Sequence, residues 1–379
     1  MDYSRFFSED VPSFMRSPVR EIFKRVDLNA IYSFAGGYPS AVTFPLDRME
    51  ELTAQVVRKY GARALQYGAT QGVPELRETL ARRYGVPVDR VQVTTSSQQG
   101  IDVCTRVFID PGDVIITTNP AYLGALQSFK SYRAHVVACD FADPASVPDG
   151  AKFCYVIPDF QNPSGRTMTL AERERLVALA REKDFLIVED SPYRELRYEG
   201  VDVPTICSLA PERTLHLGSF SKIFAPGLRL GWILGAPELL EQIYICKQAL
   251  DLCPPVFDQY LANEFLVSGA LDANLRKSVD LYRTKRDLLL SLLERYMPDG
   301  VTWTHPEGGL FLFLTLPEGV DTVAMYDEAL DAGVAYVAGS FFFVDGGGRN
   351  TMRLNFSFLD SDRMEEGVKI LSNLLKKHV

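Results

Sequence analysis

Short apolar runs alternate with amphipathic stretches between residues 90 and 235. Seven of the runs are rich in Val and Ile and show no alternation of apolar and polar positions: RVQVTT (90–95), DVIITT (113–118), HVVACD (135–140), FCYVIPD (153–159), FLIVED (185–190), RTLHLGSF (213–220) and LRLGWILG (228–235). Such runs are typical of strands that are buried on both faces of a mainly parallel sheet. The pattern predicts an α/β fold in which helices flank a mostly parallel, seven-stranded sheet.

One intervening helix has a clear start in the sequence. Thr169 is followed three residues later by Glu172, which is the spacing of a capping box, and apolar residues then recur at helical spacing as far as residue 184. We expect this helix to cross between the strands before and after it. The chain is helical in pattern again from about residue 237 to residue 296.

The last part of the chain has a different pattern. Two strand-like runs, LFLFLTL (310–316) and TMRLNFSF (351–358), are mixed with two helical stretches, which is an α+β arrangement. We expect a large domain at residues 46–275. A smaller α+β domain would combine the N-terminal segment, residues 1–45, with the C-terminal region, residues 276–379.

Composition and charge limit the partners that this chain can have. Its 379 residues are 46% hydrophobic, enough for a large core, and its formal net charge is −9. Proteins that bind phosphate backbones usually carry a basic face, so we expect no nucleic-acid partner. No apolar run approaches the roughly 20 residues of a membrane span, and the first residues include early acids and no apolar run long enough for a signal peptide, so we expect none. We therefore predict no membrane association and a cytoplasmic location.

The cysteines and histidines do not form a recognisable metal site. Six cysteines are scattered without a C-x-x-C pair, and the four histidines are isolated from one another. We expect reduced cysteines that serve in packing, and no bound metal. The dipeptide Gly-Lys does not occur, which excludes a Walker P-loop.

Polar residues that directly follow the apolar runs are the candidates for a binding site, because ligands of open α/β sheets bind at the carboxyl ends of the strands. Ser97 and Gln98 lie at a strand-to-helix junction, where free N–H groups favour an anion. Asn162 and Asp190 each follow a strand, and Lys222 lies in the segment LGSFSKIFAPGLRLGW. Each has an ordinary alternative interpretation: a helix cap, a turn, an N-cap or a solvated lysine.

The order of these residues along the chain is more specific than any one of them. Asn162-Pro-x-Gly is followed by Asp190-x-x-Tyr193, and then by Ser219-x-Ser221-Lys222 with Arg229 seven residues further on. This set resembles the pyridoxal-phosphate-dependent aminotransferases of fold type I, class I/II. Further stretches are similar to the subgroup of kynurenine/2-aminoadipate and related aminotransferases: residues 34–45, 64–84, 96–102, 111–124, 218–232 and 351–358.

The resemblance implies pyridoxal 5′-phosphate as the cofactor and a role for each matching residue. The amine of Lys222 would form a Schiff base with the cofactor aldehyde, and partial desolvation would keep it nucleophilic. Asp190 would keep the pyridine nitrogen protonated. Asn162 and Tyr193 match positions that hydrogen-bond the phenolic oxygen of the ring, and Tyr122 matches the aromatic residue that stacks on its face.

The cofactor's phosphate would be held by two groups of residues. Hydroxyl, amide and guanidinium groups suit a phosphate, and the residues that supply them are Ser97, Gln98, Ser219, Ser221 and Arg229. The resemblance implies that Tyr67 adds a contact from the neighbouring subunit. We therefore expect a homodimer with the active site at its interface.

The substrate's carboxylate also needs a binding residue. Arg353 alternates with apolar residues and projects from the polar face of a predicted strand, which could equally be a solvated edge strand. The resemblance implies that its guanidinium binds the α-carboxylate. It also implies that the segment with Gly37 and Tyr38 covers the substrate, together with Arg16 and Arg20. Tyr38 stands where the family commonly has leucine.

Three functions are compatible with these residues. The first is transamination between an L-amino acid and a 2-oxo acid through the lysine Schiff base. The second is another reaction on the same scaffold, such as β-elimination from a cysteine conjugate. The third is a ligand sensor of the kind fused to a winged helix-turn-helix, which residues 1–20 do not resemble, so we expect an enzyme.

Overall fold

The structure is a computed structural model and describes residues 1–9, 11, 14 and 30–379. In this part of the chain the strands are β1 (Tyr32–Ser33), β2 (Val91–Thr94), β3 (Val114–Thr117), β4 (His135–Ala138), β5 (Ala151–Val156), β6 (Leu186–Asp190), β7 (Thr214–Ser219), β8 (Gly231–Leu234), β9 (Thr302–Trp303), β10 (Phe311–Thr315), β11 (Val334–Ala335), β12 (Val337–Ala338) and β13 (Thr351–Asn355). The α-helices are α1 (Leu46–Tyr60), α2 (Pro74–Tyr84), α3 (Ser96–Phe108), α4 (Leu123–Ser131), α5 (Leu170–Glu182), α6 (Ile206–Leu209), α7 (Pro237–Asp251), α8 (Val256–Val267), α9 (Ala270–Tyr296), α10 (Tyr326–Asp331) and α11 (Ser361–Leu375).

The seven predicted strands form one sheet, in the order β2-β8-β7-β6-β5-β3-β4. Strands β3 to β7 pair in parallel, whereas β8 is antiparallel to both β2 and β7. The prediction of a mostly parallel, seven-stranded α/β sheet is confirmed. Since β8 runs against its neighbours, its first residues lie at the edge where the parallel strands end.

Successive residues of the central strands belong to two different apolar clusters, one on each face of the sheet. Ile115 and Val188 pack in the first cluster, whereas Ile116 and Ile187 pack in the second. Helices α3 and α4 contribute to the first cluster, and α5 and α6 contribute to the second. Burial on both faces explains why the strands are apolar without alternation.

The predicted capping box is present at the start of α5. The Thr169 hydroxyl accepts the Glu172 N–H, and the Glu172 carboxylate accepts the Thr169 N–H at 2.8 Å. These bonds satisfy N–H groups that the first turn of a helix leaves free. Helices α7, α8 and α9 occupy the predicted helical stretch. No helix in the described part of the chain is both long enough and apolar enough to cross a membrane.

The C-terminal region has its own sheet, of order β12-β13-β10-β9, in which all pairs are antiparallel. Strand β1 pairs in parallel with β11, so the N-terminal segment lies beside the C-terminal region, and α11 packs against both β1 and α9. These pairings support the division that we propose, with a large domain at 46–275 and a smaller one from 1–45 and 276–379. The boundary after residue 275 falls inside α9, which connects the two parts.

Candidate active site

A cavity of about 880 Å³ lies at the carboxyl ends of the parallel strands. The N-terminal segment and β13 close its other side. The residues predicted for the site that line this cavity are Gly37, Tyr38, Ser97, Gln98, Tyr122, Asn162, Asp190, Tyr193, Ser219, Ser221, Lys222, Arg229 and Arg353. Tyr67 does not line it and is 79% exposed. Arg16 and Arg20 lie outside the described residues.

The start of α3 forms one end of the cavity. Ser97 and Gln98 lie in its first turn, and the N-cap residue Thr95 makes no side-chain capping bond. Helix N-termini with free N–H groups favour anions. A Cβ atom on Gly231 would come within 2.8 Å of the Ser96 carbonyl carbon, so glycine allows β8 to approach this turn closely.

Two serines and an arginine face the same end of the cavity. The Ser219 hydroxyl donates to the Ser221 hydroxyl at 3.0 Å and accepts the Ser221 N–H at 3.1 Å. Arg229 adopts a left-handed backbone conformation with φ of 52°, two residues before β8. Its guanidinium donates to the Pro226 carbonyl at 3.2 Å and is exposed. This end of the cavity therefore offers hydroxyl and guanidinium donors to an anion.

Tyr122 is held over the cavity by Gln98. The Tyr122 hydroxyl donates to Gln98 Oε1 at 3.2 Å, and Gln98 Nε2 donates to the Gly124 carbonyl at 3.0 Å. A Cβ on Gly124 would lie 2.6 Å from the Tyr122 hydroxyl and 2.8 Å from Gln98 Oε1. Glycine at this position is therefore required for the contact between the two side chains.

Asp190 ends β6 with its carboxylate buried. Its Oδ2 accepts the Tyr155 hydroxyl at 2.7 Å, whereas its Oδ1 has no hydrogen-bond partner among the described residues. Burial raises the pKa of Asp190 to about 7, against the hydrogen bond from Tyr155 and the charge of His216. An acid that ends a strand could also cap a helix. In this structure the neighbouring Glu189 has that role, because its carboxylate accepts the N–H groups of Ile206 and Cys207 at the start of α6.

A chain of side-chain hydrogen bonds joins three of the predicted residues. Asn162 Nδ2 donates to the Tyr193 hydroxyl at 3.5 Å, and Asn162 Oδ1 accepts from Arg353 Nη1 at 2.8 Å. Tyr193 packs edge-on against Phe311, with ring centroids 5.6 Å apart. Asn162 is therefore fixed between the end of β6 and the C-terminal sheet.

Arg353 is buried, and the interpretation of its strand as a solvated edge is wrong. Strand β13 lies between β10 and β12, and Arg353 is 4% exposed. Its guanidinium lies between the rings of Phe311 and Phe342, at 4.4 Å and 5.2 Å from their centroids, and donates to the Ala35 carbonyl at 2.6 Å. Burial lowers its pKa to about 10, and its Nε has no partner among the described residues.

Lys222 is half-buried rather than solvated. Its amine donates to the Gly37 carbonyl at 2.8 Å, so the N-terminal segment reaches the lysine. Burial, and then the charges of Arg353 and Arg229, lower the pKa of Lys222 to about 8. The next residue of the segment, Tyr38, is held through its carbonyl by the Ser357 hydroxyl at 2.6 Å.

Three cationic side chains of the cavity are not paired with a carboxylate. Among the described residues, Lys222, Arg229 and Arg353 have no carboxylate within ion-pair distance, and the hydrogen bonds of all three go to uncharged oxygens. Buried cations normally pair with anions. The arrangement therefore suits bound molecules that carry two negatively charged groups, one near Arg229 and one near Arg353.

Comparison with known proteins gives a consistent family. Residues 43–371 match the family model described as aminotransferase class I and II. The chain is 42% identical to the aromatic-amino-acid aminotransferase 1 of Thermococcus litoralis, over 100% of this chain and 96% of that protein. It is 35% identical to the 2-aminoadipate transaminase of Thermus thermophilus, over 99% and 98% of the two chains. The crystal structure of Pyrococcus horikoshii kynurenine aminotransferase in complex with PMP matches it with a TM-score of 0.94 at 40% identity, over 100% of this chain and 98% of that one.

The chain belongs to the class I and II aminotransferases. It is an enzyme that uses pyridoxal 5′-phosphate to transfer an amino group between an amino acid and a 2-oxo acid. The resemblance inferred from the ordered motifs is confirmed, and so are the cofactor and the fold type.

The residues at the cavity fit this cofactor. Its phosphate is an anion, which suits the first turn of α3, the two serine hydroxyls and Arg229. Its protonated ring nitrogen is a hydrogen-bond donor, and Asp190 Oδ1 is a buried acceptor without a partner in the described part of the chain. The uncompensated charge of Arg353 suits a substrate carboxylate.

Several residues at the site were not predicted from the sequence. Phe342 packs on Arg353, Phe14 lines the cavity, and Tyr155 reaches Asp190 from the neighbouring strand. The one available signal for Tyr155 was a hydroxyl-bearing ring inside an otherwise apolar run, FCYVIPD. Buried tyrosines usually find a hydrogen-bond partner, but the sequence does not show which one.

Proposed function

We propose that this cavity carries out the transamination and that the predicted residues act there in the roles given above. The observation that carries the proposal is the set of incompletely partnered groups around one cavity. Asp190 Oδ1 and Arg353 Nε have no hydrogen-bond partner among the described residues, and Lys222 has a lowered pKa. Perturbed titratable groups that converge on one cavity are typical of catalytic sites.

The chain's own residues would hold the cofactor at its phosphate and at its ring. Ser97, Gln98, Ser219, Ser221 and Arg229 would bind its phosphate. When bound, pyridoxal 5′-phosphate supplies an aldehyde that takes up the amino group and a ring that withdraws electrons from the substrate's α-carbon.

The ring would be positioned by residues from three different segments. Asp190 Oδ1 would accept the ring N–H, and Asn162 and Tyr193 would donate to the phenolic oxygen. Tyr122, fixed by Gln98, would cover one face of the ring. Together these contacts would define a single orientation for the cofactor.

Lys222 would move the proton between the substrate's α-carbon and the cofactor. A general base works best when its pKa lies near the working pH. A pKa of about 8 leaves about a tenth of Lys222 neutral at pH 7, whereas an ordinary lysine would be almost fully protonated. The Gly37 carbonyl, which accepts from the amine, would orient it.

Arg353 would bind the substrate's α-carboxylate. The two phenylalanine rings and the bonds to Asn162 and Ala35 hold the guanidinium in one place, so little side-chain entropy remains to be lost on binding. The bond to Asn162 would also link the carboxylate site to the cofactor's phenolic oxygen.

The part of the cavity left for the substrate side chain is mainly apolar. Phe14, Tyr38, Leu123 and Phe342 line the cavity, and Tyr38 is 45% exposed. Apolar and aromatic lining favours aromatic or long aliphatic side chains. The relatives are named for aromatic amino acids, 2-aminoadipate and kynurenine, which supports amino acids of this size. Arg16 and Arg20 would lie near an acidic side chain and remain predictions.

We further propose a homodimer in which the partner subunit's Tyr67 completes the phosphate site. Tyr67 and Leu65 are 79% and 82% exposed in the single chain, and Val42 and Leu46 are 77% and 72% exposed. Large exposed apolar side chains are typical of interaction surfaces. The cytoplasmic location also remains a prediction.

The reaction class is tested by adding a single amino acid to the enzyme. A transaminase without a 2-oxo acid should lose its visible cofactor absorbance in one stoichiometric turnover, and 2-oxoglutarate or another oxo acid should then restore it. An eliminating enzyme would instead release ammonia and pyruvate continuously from a cysteine conjugate. If a broad panel of amino acids left the absorbance unchanged while a cysteine conjugate yielded ammonia, the β-elimination alternative would replace transamination.

A further inference from the structure

Tyr155 lies beneath the cavity in β5, next to the strand that carries Asp190. It is 1% exposed, and its hydroxyl donates to Asp190 Oδ2 at 2.7 Å. Its ring packs edge-on against Phe129 at 5.5 Å, and its carbonyl accepts the Thr117 hydroxyl at 2.8 Å. The ring and the backbone of Tyr155 are therefore both held in place.

The two oxygens of Asp190 have different environments as a result. Oδ2 is occupied by Tyr155, whereas Oδ1 is the oxygen without a partner in the described part of the chain. A carboxylate with one oxygen bound cannot rotate freely, so the other oxygen has a defined direction. Burial alone would favour the neutral acid, and a hydroxyl donor favours the anion.

We propose that Tyr155 is a positioning residue for the cofactor. It acts through Asp190: its hydroxyl orients the carboxylate and favours its ionised form, and so determines how strongly the chain binds the ring nitrogen of pyridoxal 5′-phosphate. This inference rests on the proposed role of Asp190. Tyr155 itself does not line the cavity.

The hydrogen bond from Tyr155 to Asp190 could also serve only to hold β5 and β6 together. These two strands are already joined by backbone hydrogen bonds and do not need a side-chain link. Their backbones already pair in parallel from Phe153 opposite Leu186 to Val156 opposite Glu189. Tyr336 shows what a structural tyrosine looks like in this chain. It is 0% exposed, and its hydroxyl donates to the Thr322 carbonyl at 2.7 Å, outside the cavity.

The test compares two cofactors that differ only at the ring nitrogen. The full-length protein is freed of cofactor and titrated with pyridoxal 5′-phosphate and with its 1-deaza analogue, in which C–H replaces the nitrogen. Tyr155→Phe should raise the dissociation constant for the native cofactor about 10- to 100-fold, the range for a hydrogen bond to a charged group. The dissociation constant for the analogue should change less than about twofold, because the analogue has no bond to Asp190.

Two control variants make the result specific. Tyr336→Phe removes a buried hydroxyl of the same kind and should leave both dissociation constants unchanged. Asp190→Ala should abolish the preference for the native cofactor over the analogue, and adding Tyr155→Phe to it should have no further effect. If Tyr155→Phe weakens both cofactors equally, or neither, the inference is overturned.

The same titrations separate this inference from the role proposed for Asp190. If Asp190→Ala keeps the preference for the native cofactor, the role of Asp190 is wrong. If Asp190→Ala loses the preference and Tyr155→Phe keeps it, only the role of Tyr155 is wrong.

A second substitution covers the case in which Tyr155→Phe does not fold. Site-specific 3-fluorotyrosine at position 155 keeps the ring and the hydroxyl and donates a stronger hydrogen bond. The titratable groups near Asp190 are Tyr155 on β5, His216 on β7, Tyr193 after β6, and Lys222 and Arg353 in the cavity. A stronger donor should favour the Asp190 anion, so the affinity for the native cofactor should persist to a lower pH. The affinity for the analogue should not change. An unchanged pH profile would contradict the inference.

Discussion

Two regions of the molecule bury positive charge in opposite ways. Asp159 and Arg173 are both 0% exposed and form an ion pair at 2.7 Å, and Arg194 and Arg197 approach the same carboxylate at 3.1 Å and 3.7 Å. We call these four residues the Asp159 cluster. Arg353, in the cavity, is nearly as buried, but it donates to an amide and a carbonyl and not to a carboxylate.

The difference separates a structural use of charge from a functional one. In the Asp159 cluster the protein supplies both signs, so removal of the carboxylate would leave a buried cation without a partner and destabilise the fold. In the cavity Arg229 and Arg353 have no carboxylate partner among the described residues, and the cofactor phosphate and the substrate carboxylate would supply the anions. Removing a charge should therefore affect stability in the first region and binding or catalysis in the second.

Lys222→Ala gives the largest expected effect, on the rate of transamination. Loss of both the covalent link and the proton-transfer group should reduce the rate at least about 10²- to 10⁴-fold, with no loss of stability because a desolvated amine is removed. Steady-state kinetics and borohydride reduction followed by mass spectrometry measure this. Lys152→Ala, at an exposed lysine, is the control. A reducible link that survives in Lys222→Ala would mean that another lysine binds the cofactor.

Asp159→Ala should have the largest effect on stability. It leaves Arg173 fully buried without an anion, which costs about 3–5 kcal/mol of unfolding free energy. Asp202→Ala removes the exposed partner of Arg194 and should cost less than about 1 kcal/mol. Urea unfolding of the two variants checks the contrast. Equal losses would show that the Asp159 cluster is not held by its buried pair.

Arg353→Gln should weaken substrate binding without weakening the fold. Loss of a charged hydrogen bond to the α-carboxylate costs about 1.5–3 kcal/mol, seen as a higher dissociation constant for the amino acid. Arg229→Gln should instead raise the dissociation constant for pyridoxal 5′-phosphate. Arg173→Gln is the matched control, since it should lower the unfolding free energy. Defects confined to cofactor retention in both cavity variants would refute the carboxylate role of Arg353.

The last prediction concerns the pH dependence of stability in the cofactor-free protein. The pKa of Asp190 is raised to about 7 in the fold, whereas an ordinary aspartate has a pKa of about 4. The neutral acid is therefore the favoured form, and its contribution is complete below pH 4 and is lost as the pH rises through 7. The loss is at most about 1.4 kcal/mol per pH unit. Asp190→Asn should lack this decline in urea unfolding between pH 5 and 8, and identical profiles would contradict it.

The strands and the motifs that supply the cavity residues could be predicted from the sequence, because both are local patterns. Seven apolar runs became seven strands, and the motifs around Asn162, Asp190 and Lys222 all end at one edge of the sheet. Parallel strands bring their carboxyl ends together whatever their exact order, so the location of the candidate site followed from the fold class.

The contacts between distant segments could not be predicted in this way. The bond from Tyr155 to Asp190 depends on β5 and β6 being neighbours, and that is a property of strand order. Arg353 alternates with apolar residues as an edge residue would, but its polar face is turned toward the cavity and not toward solvent. The contact of Lys222 with Gly37 joins residues that are 185 positions apart.

The pairing of β1 with β11 has a consequence for how such an enzyme can change over evolutionary time. It brings the segment of Gly37 and Tyr38 beside the C-terminal region that carries Arg353, whereas the residues proposed to bind the cofactor ring all come from the seven-stranded part of the chain. With the roles proposed above, choice of amino acid would depend mainly on the first stretch, with Leu123 added from the second, and reaction chemistry would depend on the second. Substitutions in the first can redirect the enzyme toward new amino acids while the second is inherited intact.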